Sequence, residues 1–310
     1  MRYRLFGPTG LRVSEVLLGA MRFGSVEQAR PIINAYADAG GNVIDTADAY
    51  GTEEIVGEVL GNRRDRFVVA SKYTLPRDRS DVNAAGNHRK NLRLALDASL
   101  RRLRTDYLDV YWVHCWDRHT PIEETLRALD DAVRAGKILY AGVSDAPAWI
   151  VSQGNTLAHF RDWTSFAGLQ VPYSLLRRDI ERELLPMAEA FGMSVAAWAP
   201  LAHGKLARPV EAAENDREHA VLSAVREVAG EMGVTPAQVA LAWTRVRSRA
   251  VLPLVGASSV EQLADNLAAL EVELPPEAVG RLESATGFEV GFPTDFVPAD
   301  LYHPLSVIGR

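Results

Sequence analysis

The chain has 310 residues, 47% hydrophobic and 24% charged, the composition of a globule able to bury a sizeable core rather than of a disordered or fibrous chain. A formal net charge of -6 and a pI near 5.7 speak against a general affinity for nucleic acid or anionic membrane, so neither is expected as a partner. A single cysteine, Cys115, excludes an intramolecular disulfide and a cysteine-rich metal site, and fits a reducing compartment.

The first ten residues lack the apolar core of a signal peptide, and no uninterrupted apolar run reaches about 18 residues, so the expected location is the cytoplasm. The segment around Gly7-Pro-Thr-Gly10, resuming at Leu11, predicts a small hairpin closing the bottom of a barrel. A strand over Glu15–Gly19, a helix over Val26–Ala39, a strand over Asn42–Asp45 and a helix from about Thr52 to Leu60 then set a strand–helix rhythm. Buried strands follow at Phe67–Lys72 and Leu108–His114. The basic stripe Arg101, Arg102, Arg104 reads as a solvated helix face.

Thr120-Pro-Ile-Glu123 predicts a helix start with a hydroxyl N-cap, proline at the first helical position and a capping-box glutamate, and Gly136 ends that helix. Strands over Ile138–Val143, Ala167–Val171, Ser194–Trp198 and Ala250–Val255 complete the pattern, with extra helices over Glu218–Glu231 and Pro275–Ser284. The Pro- and Phe-rich tail after Thr286 is expected as an irregular loop over the barrel mouth. The alternation runs from about Glu15 to about Ala269 without a linker, which predicts a single α/β domain over 1–310. Eight βα units favour a closed (β/α)8 TIM barrel with an N-terminal hairpin and additional C-terminal helices.

Polar residues close three of these apolar runs: Asp45, Lys72 and His114, with Tyr50 just beyond the first. Strand carboxyl ends are where α/β folds place their chemistry, so the spacing gathers the four into one pocket. Together they make a proton-transfer device for a carbonyl. A tyrosine holds its proton near pH 7, an adjacent ammonium from Lys72 would lower its pKa, Asp45 would keep that lysine charged, and His114 would donate to the carbonyl oxygen. Singly, each has a plain structural reading as cap, anchor, solvent-facing lysine or core histidine.

Asn42-Val-Ile-Asp-Thr-Ala-Asp-Ala-Tyr-Gly51, Ala70-Ser-Lys72 and Val113-His114 resemble, in order, the motifs of the aldo-keto reductases, and the likeness spans nearly the whole chain. Trp116-Asp117, Thr120–Thr125, Gly142–Trp149 and Arg178–Arg182 resemble the aryl-alcohol dehydrogenase branch more narrowly. The resemblance implies NADPH/NADP+ as cofactor and a small carbonyl or alcohol as substrate, with Tyr50 as general acid/base supported by Asp45, Lys72 and His114. Most of that family carries Ser-Asn where this chain has Ser144-Asp145; an acid must accept where asparagine also donates.

Neither a G-x-G-x-x-G after the first strand nor a P-loop is present, so a dinucleotide must be held differently. The resemblance implies a nicotinamide across the barrel mouth against Ala20, Met21, Ser144, Asp145 and Gln170, stacked on Trp198, with Leu201 and Lys205 beyond. Ser259 and Gln262 resemble a capping box whose free N–H groups suit an anion. By motif position Ser258, Gln262, Asp265 and Asn266 follow the adenosine. Ser258 stands where many relatives carry a basic residue, which leaves NADH open beside NADPH.

Phe23, Tyr73, Trp116, Phe292 and Phe296 are the expected walls of an apolar substrate pocket for an aryl or alkyl carbonyl. Cys115 reads as a small buried hydrophobe. Three other readings compete: a Schiff-base lyase through Lys72, a dinucleotide-binding redox sensor, and a metal-dependent hydrolase using Asp45 and His114. The last lacks His-x-His after the first strand and H-E-x-x-H anywhere, and no metal is expected.

Overall fold

A two-stranded antiparallel hairpin, β1 (Tyr3–Leu5) and β2 (Arg12–Ser14), precedes eight parallel strands that close on themselves in the computed structural model, which describes residues 1–296. These are β3 (Leu17–Gly19), β4 (Val43–Asp45), β5 (Val68–Tyr73), β6 (Leu108–Val113), β7 (Ile138–Ser144), β8 (Phe166–Pro172), β9 (Ser194–Trp198) and β10 (Val251–Gly256). They neighbour one another in chain order, and β10 pairs with both β9 and β3 to seal the barrel.

The helices that follow them are α1 (Val26–Asp38), α2 (Glu53–Leu60), α3 (Arg89–Leu103), α4 (Ile122–Arg134), α5 (Ala148–Arg161), α6 (Leu184–Ala190), α7 (Asp216–Met232), α8 (Pro236–Thr244), α9 (Val260–Ala268) and α10 (Pro276–Ala285). α7 and α10 are the two additional helices, each a residue or two from its expected bounds. The first barrel strand is shorter than predicted, because Glu15 is drawn off into ion pairs with Arg2 and Arg245 below the barrel.

Alternation along each strand decides which side chains fill the barrel. Val43, Val68, Ala70, Val110, Trp112, Ala196 and Leu252 point inward, Ala167 joins them at an irregularity where β8 shifts register against β7, and Phe6 of the hairpin plugs the bottom of the barrel among them. Phe6 and Trp112 meet edge to face at 6.0 Å, an arrangement worth about 0.5–1.5 kcal/mol beyond their burial. Room for the indole comes from two glycines: a Cβ on Gly142 would stand 2.2 Å from the Trp112 ring, and one on Gly168 would stand 2.5 Å from Phe6. Ile44, Val69, Tyr73 and Tyr111, of the opposite parity, pack against the helices. Asp45 and Lys72 carry the inward parity, and His114 continues it one residue past β6.

Two local expectations are corrected. Pro121 is itself the N-cap of α4, and the Thr120 hydroxyl donates instead to Asp117 Oδ2 at 2.5 Å; proline disfavours helical geometry in the residue before it, so Thr120 lies outside the helix. In the basic stripe, Arg102 turns inward and donates from Nε to Glu53 Oε2 at 2.7 Å, because Glu53 is a buried carboxylate in need of a cation.

Candidate active site

A cavity of about 320 Å³ opens at the carboxyl end of the barrel, and Asp45, Tyr50, His114, Ser144, Asp145, Gln170 and Trp198 all line it. Asp45 ends β4, and the turn that follows carries Tyr50 back over the strand ends. Thr46 donates its amide to Ala70 and Asp48 to the Lys72 carbonyl, so this turn is stitched to β5 backbone.

The four motif residues converge. Lys72 lies beneath the cavity, 1% exposed; its Nζ is bonded to Asp45 Oδ1, donates to the Thr46 carbonyl at 2.8 Å, and stands 5.1 Å from the centre of the Tyr50 ring. The Tyr50 hydroxyl is 3.2 Å from His114 Nε2, with the two rings edge to face. His114 Nδ1 is buried with no protein partner. A buried N–H without an acceptor is rarer and costlier than a bare lone pair, which favours the tautomer with the proton on Nε2, facing Tyr50 and the cavity.

Burial dominates the electrostatics. It pushes the Tyr50 phenol above its ordinary range, reinforced by the carboxylates of Asp45, Asp145 and Asp48. This departs from the expectation that Lys72 would lower that group: the ammonium is bonded to Asp45, which answers its charge. Burial, with the Lys72 charge second, pushes the His114 imidazole down to about 3, so the ring is neutral at physiological pH. Cys115 is half-buried and its thiol is pushed up by burial, the opposite of an activated nucleophile.

A second set of groups faces the same cavity. Gln170 donates from Nε2 to Asp45 Oδ2 at 3.0 Å, leaving its amide oxygen as the free end. Trp198 donates from Nε1 to Asp145 Oδ1 at 3.3 Å, which fixes the indole at the rim. Burial raises the Asp145 carboxyl, opposed first by that indole bond and then by the Arg177 charge. Met21, Leu201, Gln262 and Asn266 also line the cavity, the last two from α9. Ser259 caps α9 by accepting from Gln262 N at 3.2 Å, but the Gln262 side chain accepts from Ser258 N rather than from the cap residue.

Other residues singled out from the sequence lie elsewhere. Ala20 is fully buried beneath the rim. Lys205 faces a neighbouring hollow and pairs with Glu214 and Glu218. Asp265 points away and accepts from Thr235 and Gln238, whose capping box starts α8. Ser258 is exposed just before α9, donates to Gln262 Oε1 at 3.0 Å and does not line the cavity. Tyr73 is completely buried on the helix side of β5, stacked on Tyr111 at 5.3 Å, because it has the opposite parity to Lys72. Phe23 packs in the same helix-side core. Trp116 meets Trp149 edge to face at 5.6 Å, and Phe292 and Phe296 stand 80% and 74% exposed, touching each other; none of the three lines the cavity. The tail beyond Phe296 lies outside the described residues.

Arg22, His203, Gly256 and Asp48 have no role assigned from the sequence. The first three line the cavity, each in a loop following a barrel strand or at a strand end, and that position was the signal available. Asp48 lies between Asp45 and Tyr50; its side chain is 0% exposed and neither carboxyl oxygen has a hydrogen-bond partner. Among the described residues no group of three or more His, Cys, Asp or Glu is placed to hold a metal, and no helix is long and apolar enough to cross a membrane.

Residues 15–286 match the model of the aldo/keto reductase family. A norsolorinic acid reductase of Emericella nidulans is 38% identical over 95% of this chain and 84% of its own length. A probable aryl-alcohol dehydrogenase of Saccharomyces cerevisiae is 38% identical over 88% of this chain and 92% of its own length. An aldo-keto reductase of Aspergillus calidoustus is 36% identical over 96% of this chain and 85% of its own length.

Proposed function

The chain belongs to the aldo/keto reductase family of carbonyl-reducing oxidoreductases, and from that premise we propose that it is an NADPH-dependent reductase of aryl or other apolar aldehydes and ketones with Tyr50 as its general acid. The observation that carries the reading is the Tyr50 hydroxyl 3.2 Å from His114 Nε2, above a lysine that Asp45 keeps paired.

A bound nicotinamide dinucleotide supplies the hydride. Tyr50 supplies the proton: its raised phenol keeps that proton throughout the neutral range, and the alkoxide formed at the carbonyl oxygen is a far stronger base than any phenolate, so the transfer runs downhill. His114, neutral and protonated on Nε2, donates to the carbonyl oxygen and holds it beside the phenol. Lys72, 5.1 Å from the centre of the Tyr50 ring, is bonded to Asp45 and to the Thr46 carbonyl and so braces the turn that carries the phenol.

The donor set fits the cofactor. Gln170 and Ser144 suit a carboxamide, Gln170 through the amide oxygen left free by its bond to Asp45, and Trp198 offers an aromatic face. Gln262 and Asn266 suit the adenosine. Asp145 is the departure from the common Ser-Asn pair, and it has taken the indole N–H of Trp198 as its donor. Aryl carbonyls are proposed because relatives at 38% identity include an aryl-alcohol dehydrogenase and a norsolorinic acid reductase. The lyase alternative is disfavoured by Lys72, which is tied to Asp45 and Thr46 and does not line the cavity.

The test is a fluorescence titration with NADPH and NADH in parallel, followed by 4-nitrobenzaldehyde, on the wild type and on Tyr50→Phe. Both proteins should bind NADPH, and only the wild type should oxidise it. Turnover retained by Tyr50→Phe refutes the acid; cofactor retention with no turnover by either protein favours the redox sensor.

A further inference from the structure

Three charged side chains line the cavity: Arg22, Asp45 and Asp145. Lys72 answers Asp45 directly. Arg22 lies beside Gly256 at the end of β10, where a Cβ on that glycine would stand 4.0 Å from Arg22 Cδ, and β10 is three strands round the barrel from β7. Asp145 follows β7, is exposed to the cavity and takes the Trp198 indole N–H, a neutral donor, while no cation is bonded to it among the described residues. Its charge is left facing the space beside the indole.

The backbone holds that carboxylate in place. Asp145 N donates to the Gln170 carbonyl at 3.2 Å, and the Asp145 carbonyl accepts from Trp116 N at 3.4 Å. Its φ of 45° is left-handed, a region that aspartate and asparagine tolerate better than other side chains. An asparagine in the same conformation would still accept the indole N–H, so this geometry does not call for an acid. What the acid adds is charge.

A cation stands over the same indole. The Arg177 backbone is tied to Ser174 by a reciprocal pair of hydrogen bonds, and its guanidinium carbon lies 6.0 Å from the centre of the Trp198 ring. Arg177 does not line the cavity; it lines the neighbouring hollow, which shares the indole with it. Of the two charges that meet Trp198, the negative one faces the cavity and the positive one the hollow.

We propose that Asp145 makes this site discriminate between the redox forms of the dinucleotide, tightening the oxidised form relative to the reduced one, and that Arg177 moderates the effect across the indole. The inference rests on the proposed binding of a nicotinamide dinucleotide against Trp198. The two forms differ only at the nicotinamide ring, which carries a positive charge when oxidised and none when reduced. A carboxylate beside the ring favours the charged form, and a cation near it disfavours that form.

Isothermal titration calorimetry at about pH 8 and low salt, where a partly exposed charge is least screened, gives one dissociation constant for NADP+ and one for NADPH. Their ratio cancels everything the two forms share. Asp145→Asn, which keeps the shape and the hydrogen bond, should shift that ratio against NADP+ roughly three- to tenfold. Arg177→Gln should shift it the other way, roughly twofold, and Arg177→Lys should hold the wild-type ratio. A packing defect would move both constants together and leave the ratio alone.

A ratio unmoved by Asp145→Asn, or moved by Arg177→Gln in the same direction, overturns the proposal; a ratio indifferent to Arg177→Gln overturns the part given to the arginine. If Asp145→Asn does not fold, the sign of the Arg177→Gln shift decides. If the wild type binds neither NADPH nor NADP+, it is the proposed function that fails.

Discussion

Gln170 and Asp45 are joined across the barrel: the amide at the end of β8 donates to Oδ2 at 3.0 Å, while Lys72 takes the other carboxyl oxygen. One carboxylate thereby fixes both the lysine beneath Tyr50 and the amide of Gln170. Because the acceptor is a carboxylate, the nitrogen of Gln170 must face it, and the oxygen is the end presented to the cavity. Gln170→Leu should leave Asp45 Oδ2 buried and unpaired, cost about 1–3 kcal/mol in urea unfolding, and weaken NADPH in a fluorescence titration. Unfolding and binding both unchanged would show that the bond does not couple the two groups.

His114 gives a second prediction. If it acts through a neutral Nε2–H, His114→Ala should lower kcat by roughly 10²-fold, the usual scale for a lost oxyanion donor. His114→Gln, which can present an amide N–H near the same point, should recover part of that loss. A glutamine variant as slow as the alanine one would argue that the ring itself, and not its donor, is what matters.

Asp48 and His114 should also give folding stability opposite pH dependences. The folded-state pKa of Asp48 is raised to about 7, so the unfolded chain ionises first and stability is lost as pH rises from about 4 to 7. That of His114 is depressed to about 3, so the unfolded chain protonates first and stability is lost as pH falls from about 6.5 toward 3. Urea unfolding of Asp48→Asn should therefore gain on the wild type with rising pH, and His114→Gln should gain with falling pH. Parallel profiles would contradict both assignments.

The barrel floor supplies a packing test. A methyl group on Gly142 would meet the Trp112 ring at 2.2 Å, so Gly142→Ala should destabilise by about 1–3 kcal/mol through overpacking. In the Trp112→Leu background the same substitution should cost much less, a non-additivity that a double-mutant cycle in urea reads directly. Additive losses would mean that the strain is relieved elsewhere.

The barrel and three of its four gathered residues were legible because both depend on short-range pattern. Val-rich runs alternating with amphipathic segments specify parallel strands under helices, and a polar residue closing such a run falls at the carboxyl end. Parity along a strand then separates Lys72, inside, from its neighbour Tyr73, which the sequence assigned to the pocket and the fold buries behind it. Tyr50 lies just past the first run, and its chemistry as a proton donor, not a period in the turn that carries it, grouped it with the other three.

What the sequence did not determine are the relations among residues far apart in the chain. Asp45 finds Gln170 across 125 positions. Lys205 and Asp265 find nearby carboxylate or hydrogen-bonding partners of their own instead of the cavity, and Asp48 finds Arg77 Nε only at 3.8 Å. Composition and period fix which faces are buried, because hydrophobic burial is additive and does not depend on direction. Hydrogen bonds and charges depend on distance, direction and desolvation, so which polar group meets which, and at what pKa, is decided only once the chain has closed around them.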